Sequence, residues 1–520
     1  MRLISKITNF FNSKQGWQYL LVFVIAICLF TYLHFDKTFA DPDSFYHAKM
    51  PSILLEEGTA TEFPQLSATT LRYNFIDHHF LYHLALIPFV KIFDPLLGLK
   101  IATIIFSSLA ILTIFWFLRR MKVRGAFWYI LFLLTINPFI FRLNLAKAQG
   151  LVLIFLFLII YLIVNRRYLS LVLFSSLYIW LYGGWPLLLL LVFIYSVVSF
   201  LVNKFQKNNW PNFLLHKKGV LNKQLILISF SVCTGLLAGL FFSPYFPKNL
   251  IFYWQQSFQI AIFNYQHIIG VGGEWYPYSI VDLIVAALPF LAFFMFGLVV
   301  FVVKWKKQPV NSWFFLISSF LFFVLTLKSR RYVEYFVPIT LCFSALTINS
   351  SLESFKKIVA KFVSKKFVFL FPIILLLAFS PFFIRDIRSI KTSYSQGFSF
   401  ERFFQPSQWL LENAQAGEIV FHSDWDEFPF LFYHNDKNYY LLGLDPTFMY
   451  NFDPNLYKRW VDIVNGVEVQ NLYPTIKDIF GASYVFVDIT TNQVFDTNLA
   501  NNFYFEKVFE NDEAKIYKVN

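Results

Sequence analysis

Of 520 residues, 57% are hydrophobic and only 14% charged, and Phe alone supplies 69. A soluble domain averages about 25% charged residues, so a water-facing fold is excluded for most of this chain, and a lipid bilayer is the solvent that suits it. The net charge of +13 does not mark a nucleic-acid partner, because the basic residues sit in short segments between apolar runs and form no binding stripe.

A spanning helix needs roughly 20 apolar residues, and runs of that kind predict about eleven transmembrane helices. They cover 17–35, 101–118, 126–141, 151–164, 169–181, 185–202, 225–242, 280–303, 313–327, 333–348 and 367–384. The first run lacks a small-residue cleavage site after it and reads as a retained span. Cys28, Cys233 and Cys342 all lie in apolar runs, as packing residues and not as a disulfide framework. The run 80–93 holds His83 and ends at Asp94-Pro95, which suits a helix lying on the outer surface.

Charge orients the threading. With the N-terminus in the cytoplasm, segments 1–16, 119–125, 165–168, 203–224, 304–312 and 349–366 are cytoplasmic. They hold 22 of the 44 Lys and Arg and a single acid, Glu353, of 31. That is the positive-inside distribution. From Ser393 onward the chain is polar and mixed; strands are expected at 418–422, 439–442 and 482–487, and helices at 405–413 and 456–463. The expected fold is therefore a polytopic α-helical membrane protein with a small C-terminal extracytoplasmic α/β domain. Residues 1–390 form the membrane domain, with outer loops 36–100 and 243–279, and 391–520 form the soluble domain. The plasma (inner) membrane is the expected location.

Four outer segments carry candidate chemistry. Asp41, Asp43, His47, Lys49 and Met50 follow the first span, where paired acids can bind a divalent ion or take a proton. Asp43 or Ser44 could equally cap a helix. The loop 243–279 carries Trp254, Tyr265, His267 and then Gly272-Gly273-Glu274-Trp275-Tyr276-Pro277, an acid on permissive backbone within an aromatic interfacial belt. Lys328, Arg330 and Arg331 form a basic cluster on the acid-rich side, suited to phosphate or to pairing with Glu334. His422, Asp424, Trp425, Asp426 and Glu427 follow a predicted strand, where binding residues or a polar turn are both expected, and Asp445 follows the next strand.

The order of these segments resembles the catalytic subunit of oligosaccharyltransferases, within the class C membrane glycosyltransferases. The first outer loop is similar to that family's Asp-Pro-Tyr-Tyr/Phe-His-x-Arg-Met pattern, with Asp43, His47, Lys49 and Met50 in matching places. Glu274-Trp275-Tyr276-Pro277 resembles its Glu-x-x-Pro, and Arg330 or Arg331 its arginine near the lipid pyrophosphate. The stretch Asp424-Trp425-Asp426-Glu427-Phe428 falls where its Trp-Trp-Asp-Tyr-Gly stands, and 482–487 resembles a later strand of its soluble domain. The second acidic motif, expected after Arg142, is here Lys147 and Gln149; the first Trp and the final Tyr-Gly of the soluble-domain motif are absent.

The resemblance implies inverting transfer from a polyprenyl-(pyro)phosphate sugar donor to a protein, glycan or lipid acceptor. Asp43 and Glu274 would be catalytic. Asp41, His47, Arg142, Lys147, Arg330, Arg331, Asp424, Trp425 and Asp426 would bind substrate. A divalent cation, Mg2+ or Mn2+, would sit on Asp43 and Glu274, and a lysine in place of the second acid pair could neutralise the leaving phosphate instead. The rivals are an enzyme adding single sugars from a lipid-phosphate monosaccharide, and a non-enzymatic transporter of lipid-linked sugar. Spans nearly free of buried charge argue against transport, and one helix would suffice for an anchor.

Overall fold

The structure is a computed structural model describing residues 14–205, 218–263, 265–362 and 365–520. The basic segments 1–13 and 206–217, part of the expected cytoplasmic charge, lie outside the described residues. The chain divides into two compact units. One comprises Met1–Asp36, Ala102–Phe242 and Glu274–Ser395; the other comprises Lys37–Ile101, Ser243–Gly273 and Gln396–Asn520.

The first unit is helical. Among the described residues, seven helices are long and apolar enough to cross a membrane: Gly16–Leu33, Pro95–Arg120, Pro186–Lys204, Asn222–Phe241, Ile280–Lys307, Val310–Lys328 and Arg330–Leu352. The helix Lys365–Ser395 covers the last expected span. The chain is a multi-pass integral membrane protein. Pro95–Arg120 shows how sequence sets such an element. Pro95 opens it, where a missing N–H costs nothing. The Asp94 carboxylate accepts the amides of Leu96 (3.1 Å) and Leu97 (3.4 Å). Arg119 and Arg120 close it, cations at the negative end of the helix dipole. At 26 residues it is about 39 Å long, more than the ~30 Å hydrocarbon thickness.

The run expected as one span at 126–141 is two helices, Ala126–Leu133 and Asn137–Leu143, bent by 80°. Pro138 lies in the first turn of the second helix and Ile136 before it is extended, so the proline starts a new helix instead of continuing the old one. The bend brings Arg142 into the last turn of a short buried helix. Elsewhere small residues let backbones approach. A Cβ on Gly235 would lie 2.4 Å from the Val172 carbonyl oxygen, and one on Gly239 would lie 2.5 Å from that of Ser176. Trp180 Nε1 donates to the Gly239 carbonyl at 2.7 Å. Gly235 and Gly239, four residues apart, thus form the small-residue face by which Lys218–Phe241 packs on Tyr168–Leu181.

The second unit joins residues 37–101 and 243–273 to the C-terminal residues. Strands β1 (Thr38–Phe39) and β2 (Phe398–Ser399) pair antiparallel. A five-stranded sheet follows, from β3 (Ile419–His422), β4 (Tyr439–Tyr440), β5 (Ala482–Asp488), β6 (Phe505–Glu510) and β7 (Ala514–Val519). Its order is β4-β3-β5-β7-β6, parallel among the first three strands and antiparallel thereafter. The β4 edge is covered: Ser67 and Ala68 amides donate to the carbonyls of Tyr440 and Leu441 at 2.8 and 2.9 Å. The helix Asp43–Glu56 docks on Phe428–His434 through Phe45, whose ring centroid is 4.7 Å from that of Phe430. Phe63, Phe75, Phe428 and Phe432 stack beside them.

Candidate active site

In the membrane unit, charged residues from three elements converge. Arg142 ends the short helix after the bend; Glu274 opens a 3-10 turn before the helix starting at Ile280; Arg331 and Glu334 lie at the start of the span Arg330–Leu352. Arg142 Nη1 donates to Glu274 Oε2, and its Nη2 donates to Glu334 Oε2 at 3.1 Å. The Arg142 and Glu334 side chains are 5% and 1% exposed. Arg331 Nη1 is 3.7 Å from Glu274 Oε1, and its guanidinium lies 4.2 Å over the Trp275 ring. Its other nitrogen reaches the Tyr182 hydroxyl at 3.4 Å. Burial would raise the Glu274 carboxyl, but Lys147, Arg142 and Arg331 outweigh it and hold the group well below the usual carboxylate range.

The arginine doublet separates here. Arg330 turns outward: its amide donates to Tyr276 O (3.0 Å), its Nε to Pro277 O (3.1 Å), and its guanidinium lies 5.4 Å from the Tyr278 ring centre. Ser329 Oγ donates to the Glu274 carbonyl at 2.8 Å. Arg330 and Ser329 therefore clamp the loop that presents Glu274, while Arg331 enters the cluster. Arg142, Arg331 and Lys147 act against Glu274 and Glu334, leaving an excess of one positive charge. Such a site favours an anion. With its carboxylate held by two guanidinium groups and biased by Lys147, Glu274 does not fit a divalent cation. Among the described residues no group of three or more His, Cys, Asp or Glu could hold a metal ion.

The remaining sequence candidates lie in the other unit. Asp41 Oδ1 accepts the Asp43 amide at 3.0 Å, so Asp41 ties the start of the helix that Asp43 opens. His47 follows one turn later, buried, with its Nδ1 2.8 Å from His83 Nε2. Lys49 pairs with Asp436 at 2.7 Å. Asp424 and Glu427 form a capping box: Asp424 accepts the Asp426 amide (3.1 Å), and Glu427 accepts those of Ser423 (2.8 Å) and Asp424 (2.9 Å). Burial raises both carboxyls above their ordinary values. Trp425 and Asp426 are half-buried, and Trp425 lies against Gly272, where an added Cβ would be 3.4 Å from the ring.

Two residues of these clusters, Tyr182 and Asp77, were not named by sequence, and Trp275 and His83 were named without these contacts. Tyr182 and Trp275 give Arg331 its contacts. Asp77 and His83 extend the His47 contact, since Asp77 Oδ2 is 2.7 Å from His83 Nδ1. The available signal was the run Asp77-His78-His79 shortly before His83 in an otherwise apolar segment.

No protein-family model and no curated protein matches the sequence. Solved structures do match. The archaeal oligosaccharyltransferase AglB from Archaeoglobus fulgidus, in complex with an inhibitory peptide and a dolichol-phosphate, aligns with a TM-score of 0.65 at 14% identity, over 97% of this chain and 74% of that one. ArnT from Cupriavidus metallidurans, bound to undecaprenyl phosphate, aligns with a TM-score of 0.58 at 12% identity, over 98% of this chain and 99% of that one. The arabinofuranosyltransferase AftD from Mycobacteria aligns with a TM-score of 0.51 at 10% identity, over 98% of this chain and 40% of AftD. The chain has the fold of the class C glycosyltransferases.

Proposed function

We propose that this protein is a membrane glycosyltransferase that moves a sugar or oligosaccharide from a polyprenyl-(pyro)phosphate donor to an acceptor on the extracytoplasmic face of the plasma membrane. The observation that carries the reading is the cluster of buried Arg142 with half-buried Arg331 and Lys147, one charge in excess over Glu274 and Glu334. Breaking a glycosyl–phosphate bond leaves negative charge on the departing phosphate oxygens. Fixed guanidinium groups in a poorly hydrated site stabilise that charge more than the ground state, which is what lowers a barrier. Glu274 and Glu334 hold Arg142 between them, so its donors are aimed before substrate arrives. The second need of transfer is a carboxylate that engages the N–H or O–H of the acceptor, and we assign it to Asp43. The Asp41 side chain fixes its backbone.

A lipid-phosphate monosaccharide as donor is the second reading. It is favoured by the alignment with ArnT, which spans nearly the whole of both chains, and by Lys147 and Gln149 standing where the resemblance expects acids. The test uses purified protein, lipid-linked sugars extracted from native membranes, and peptide or lipid acceptors in parallel. Transfer should occur with one acceptor class and vanish in Arg331→Ala and in Asp43→Ala at unchanged expression. Absence of transfer despite measured donor binding would turn the reading toward a carrier of lipid-linked sugar.

A further inference from the structure

Two buried oxygens beside the arginine cluster have no part in the reaction proposed above. Glu334 and Tyr178 are 1% and 0% exposed. Arg142 engages only one oxygen of Glu334, donating to Oε2 from both Nε and Nη2. Among the described residues, the other oxygen, Oε1, and the Tyr178 hydroxyl have no hydrogen-bond partner. An unpaired carboxylate oxygen or phenol in a dry interior is unfavourable, and folds keep such groups where a ligand or a bound water completes them.

Both oxygens belong to helix ends. Tyr178 lies in the last turn of Tyr168–Leu181, and its carbonyl accepts the amide of Tyr182 at 3.1 Å. Glu334 lies in the first turn of Val333–Phe362. Tyr178, Tyr335 and Glu334 are close enough to one another, and the two phenols to Tyr182, to interact electrostatically. Tyr335 is buried, and its ring stacks on Phe322 with centroids 5.3 Å apart, so its phenol is held in place. Tyr182 in turn contacts Arg331 at 3.4 Å. The Arg331 and Glu274 side chains are 14% and 23% exposed. The phenols and Glu334 Oε1 are therefore the deeper layer of the same cluster.

A lipid-linked sugar has three parts, and only one suits this layer. The prenyl tail has no polar hydrogen. The phosphodiester or pyrophosphate offers acceptor oxygens and negative charge, which a carboxylate repels and Arg142, Arg331 and Lys147 attract. The sugar alone brings O–H or N–H donors for Glu334 Oε1, together with oxygens that accept from a phenol. Resting on the proposed transferase reading, we propose that Glu334 Oε1, Tyr178 and Tyr335 form a subsite that reads the donor sugar. The layer adjoins the arginines that take the phosphate, so the ring it reads is the one bonded to that phosphate and not a distal sugar. Glu334 then divides its work: Oε2 aims Arg142, and Oε1 accepts a hydroxyl or amide proton of the sugar. A site built to pair a hydroxyl discriminates strongly against a sugar that lacks it.

The test measures binding and stability of the full purified chain. Two probes are used: a polyprenyl phosphate with no sugar, and lipid-linked sugars extracted from native membranes. The wild type should bind the lipid-linked sugar more tightly than the bare lipid phosphate. Tyr178→Phe removes one oxygen and keeps the ring. It should weaken binding of the lipid-linked sugar about tenfold and leave the bare lipid phosphate unaffected. Its thermal midpoint without donor should be equal to or above that of the wild type, because the lost hydroxyl has no protein partner to abandon. Tyr335→Phe should show the same selective loss of sugar binding. A lowered midpoint in Tyr178→Phe with binding of both probes unchanged would give the hydroxyl to an interior water and overturn the subsite. Equal weakening of both probes would place the effect on the phosphate and overturn it as well. Wild-type protein that binds the two probes equally would overturn the subsite while leaving the transferase reading standing. Wild-type protein that binds neither would overturn the transferase reading, and the subsite with it.

Discussion

At Arg142, one guanidinium is held by two carboxylates, and the geometry says which loss is worst. Glu334 is the more deeply buried partner and binds through both Nη2 and Nε, at 3.1 and 3.3 Å. Its removal leaves a cation in the membrane unit with half its compensation. Glu334→Ala should therefore destabilise the protein by about 3–5 kcal/mol, read as a lower thermal midpoint in detergent. Arg331→Lys keeps the charge but loses the planar face over Trp275 and the fork toward Glu274 and Tyr182. It should leave the fold intact and weaken binding of a polyprenyl-phosphate donor at least tenfold, about 1.4 kcal/mol. Equal binding would show that only charge matters there. Sequence named Arg142, Glu274 and Arg331, and saw Glu334 only as a competing partner for the arginines. It had no means to separate Arg330 from Arg331, because a single residue of register in a 3-10 turn decides which one enters the cluster. Asp77 escaped notice, and His83 was read only as part of a surface helix, for a related reason. Asp77 precedes the helix that carries His83, so no helical period links them, although the Asp77 turn at the helix start brings them together.

At the scale of the element, the local chemistry of turns decides how the α/β sheet is held. The strands expected at 418–422, 439–442 and 482–487 are present as β3, β4 and β5, because β-branched and aromatic runs bounded by turns are a local signal. The bend in 126–143 was less visible, since a proline in an apolar run is compatible with a kinked span or with a new helix. The capping box after β3 joins strand to helix, and Glu427 accepts three hydrogen bonds from Ser423 and Asp424. Glu427→Ala should cost about 1–3 kcal/mol, measured as a lower unfolding midpoint. At the other end of the same helix, burial depresses His434 to about 4, with Lys49 adding to the effect. The unfolded chain protonates this ring near pH 6.5. Stability from the neutral ring is therefore complete above pH 6.5 and is lost as pH falls from there toward 4, where the unfolded state binds the extra proton. His434→Phe should flatten that part of the stability profile, and an unchanged profile would place the acid sensitivity elsewhere.

For the whole molecule, the apolar pattern displayed a polytopic membrane fold because lipid requires every backbone polar group to be paired within helices. The number of crossings was less plain. Gln149–Val164 and Tyr168–Leu181 have 16 and 14 residues and reach about 24 and 21 Å, short of a ~30 Å core, so length alone does not separate crossing from partial insertion. The same fold accommodates enzymes that differ from this chain at more than four residues in five, so chemistry must be argued from the charges it positions. Here the excess is cationic. A phosphate leaving group stabilised by Arg142, Arg331 and Lys147 has less need of a metal ion, and Glu274 is committed to those cations. Transfer should therefore persist after exhaustive chelation and fall at least tenfold in Lys147→Ala, with the loss expressed in turnover more than in donor affinity. Activity abolished by chelator and restored by Mg2+ or Mn2+ would instead give the phosphate charge to a metal, and Glu274 would then have to exchange its arginine partners for that ion during turnover.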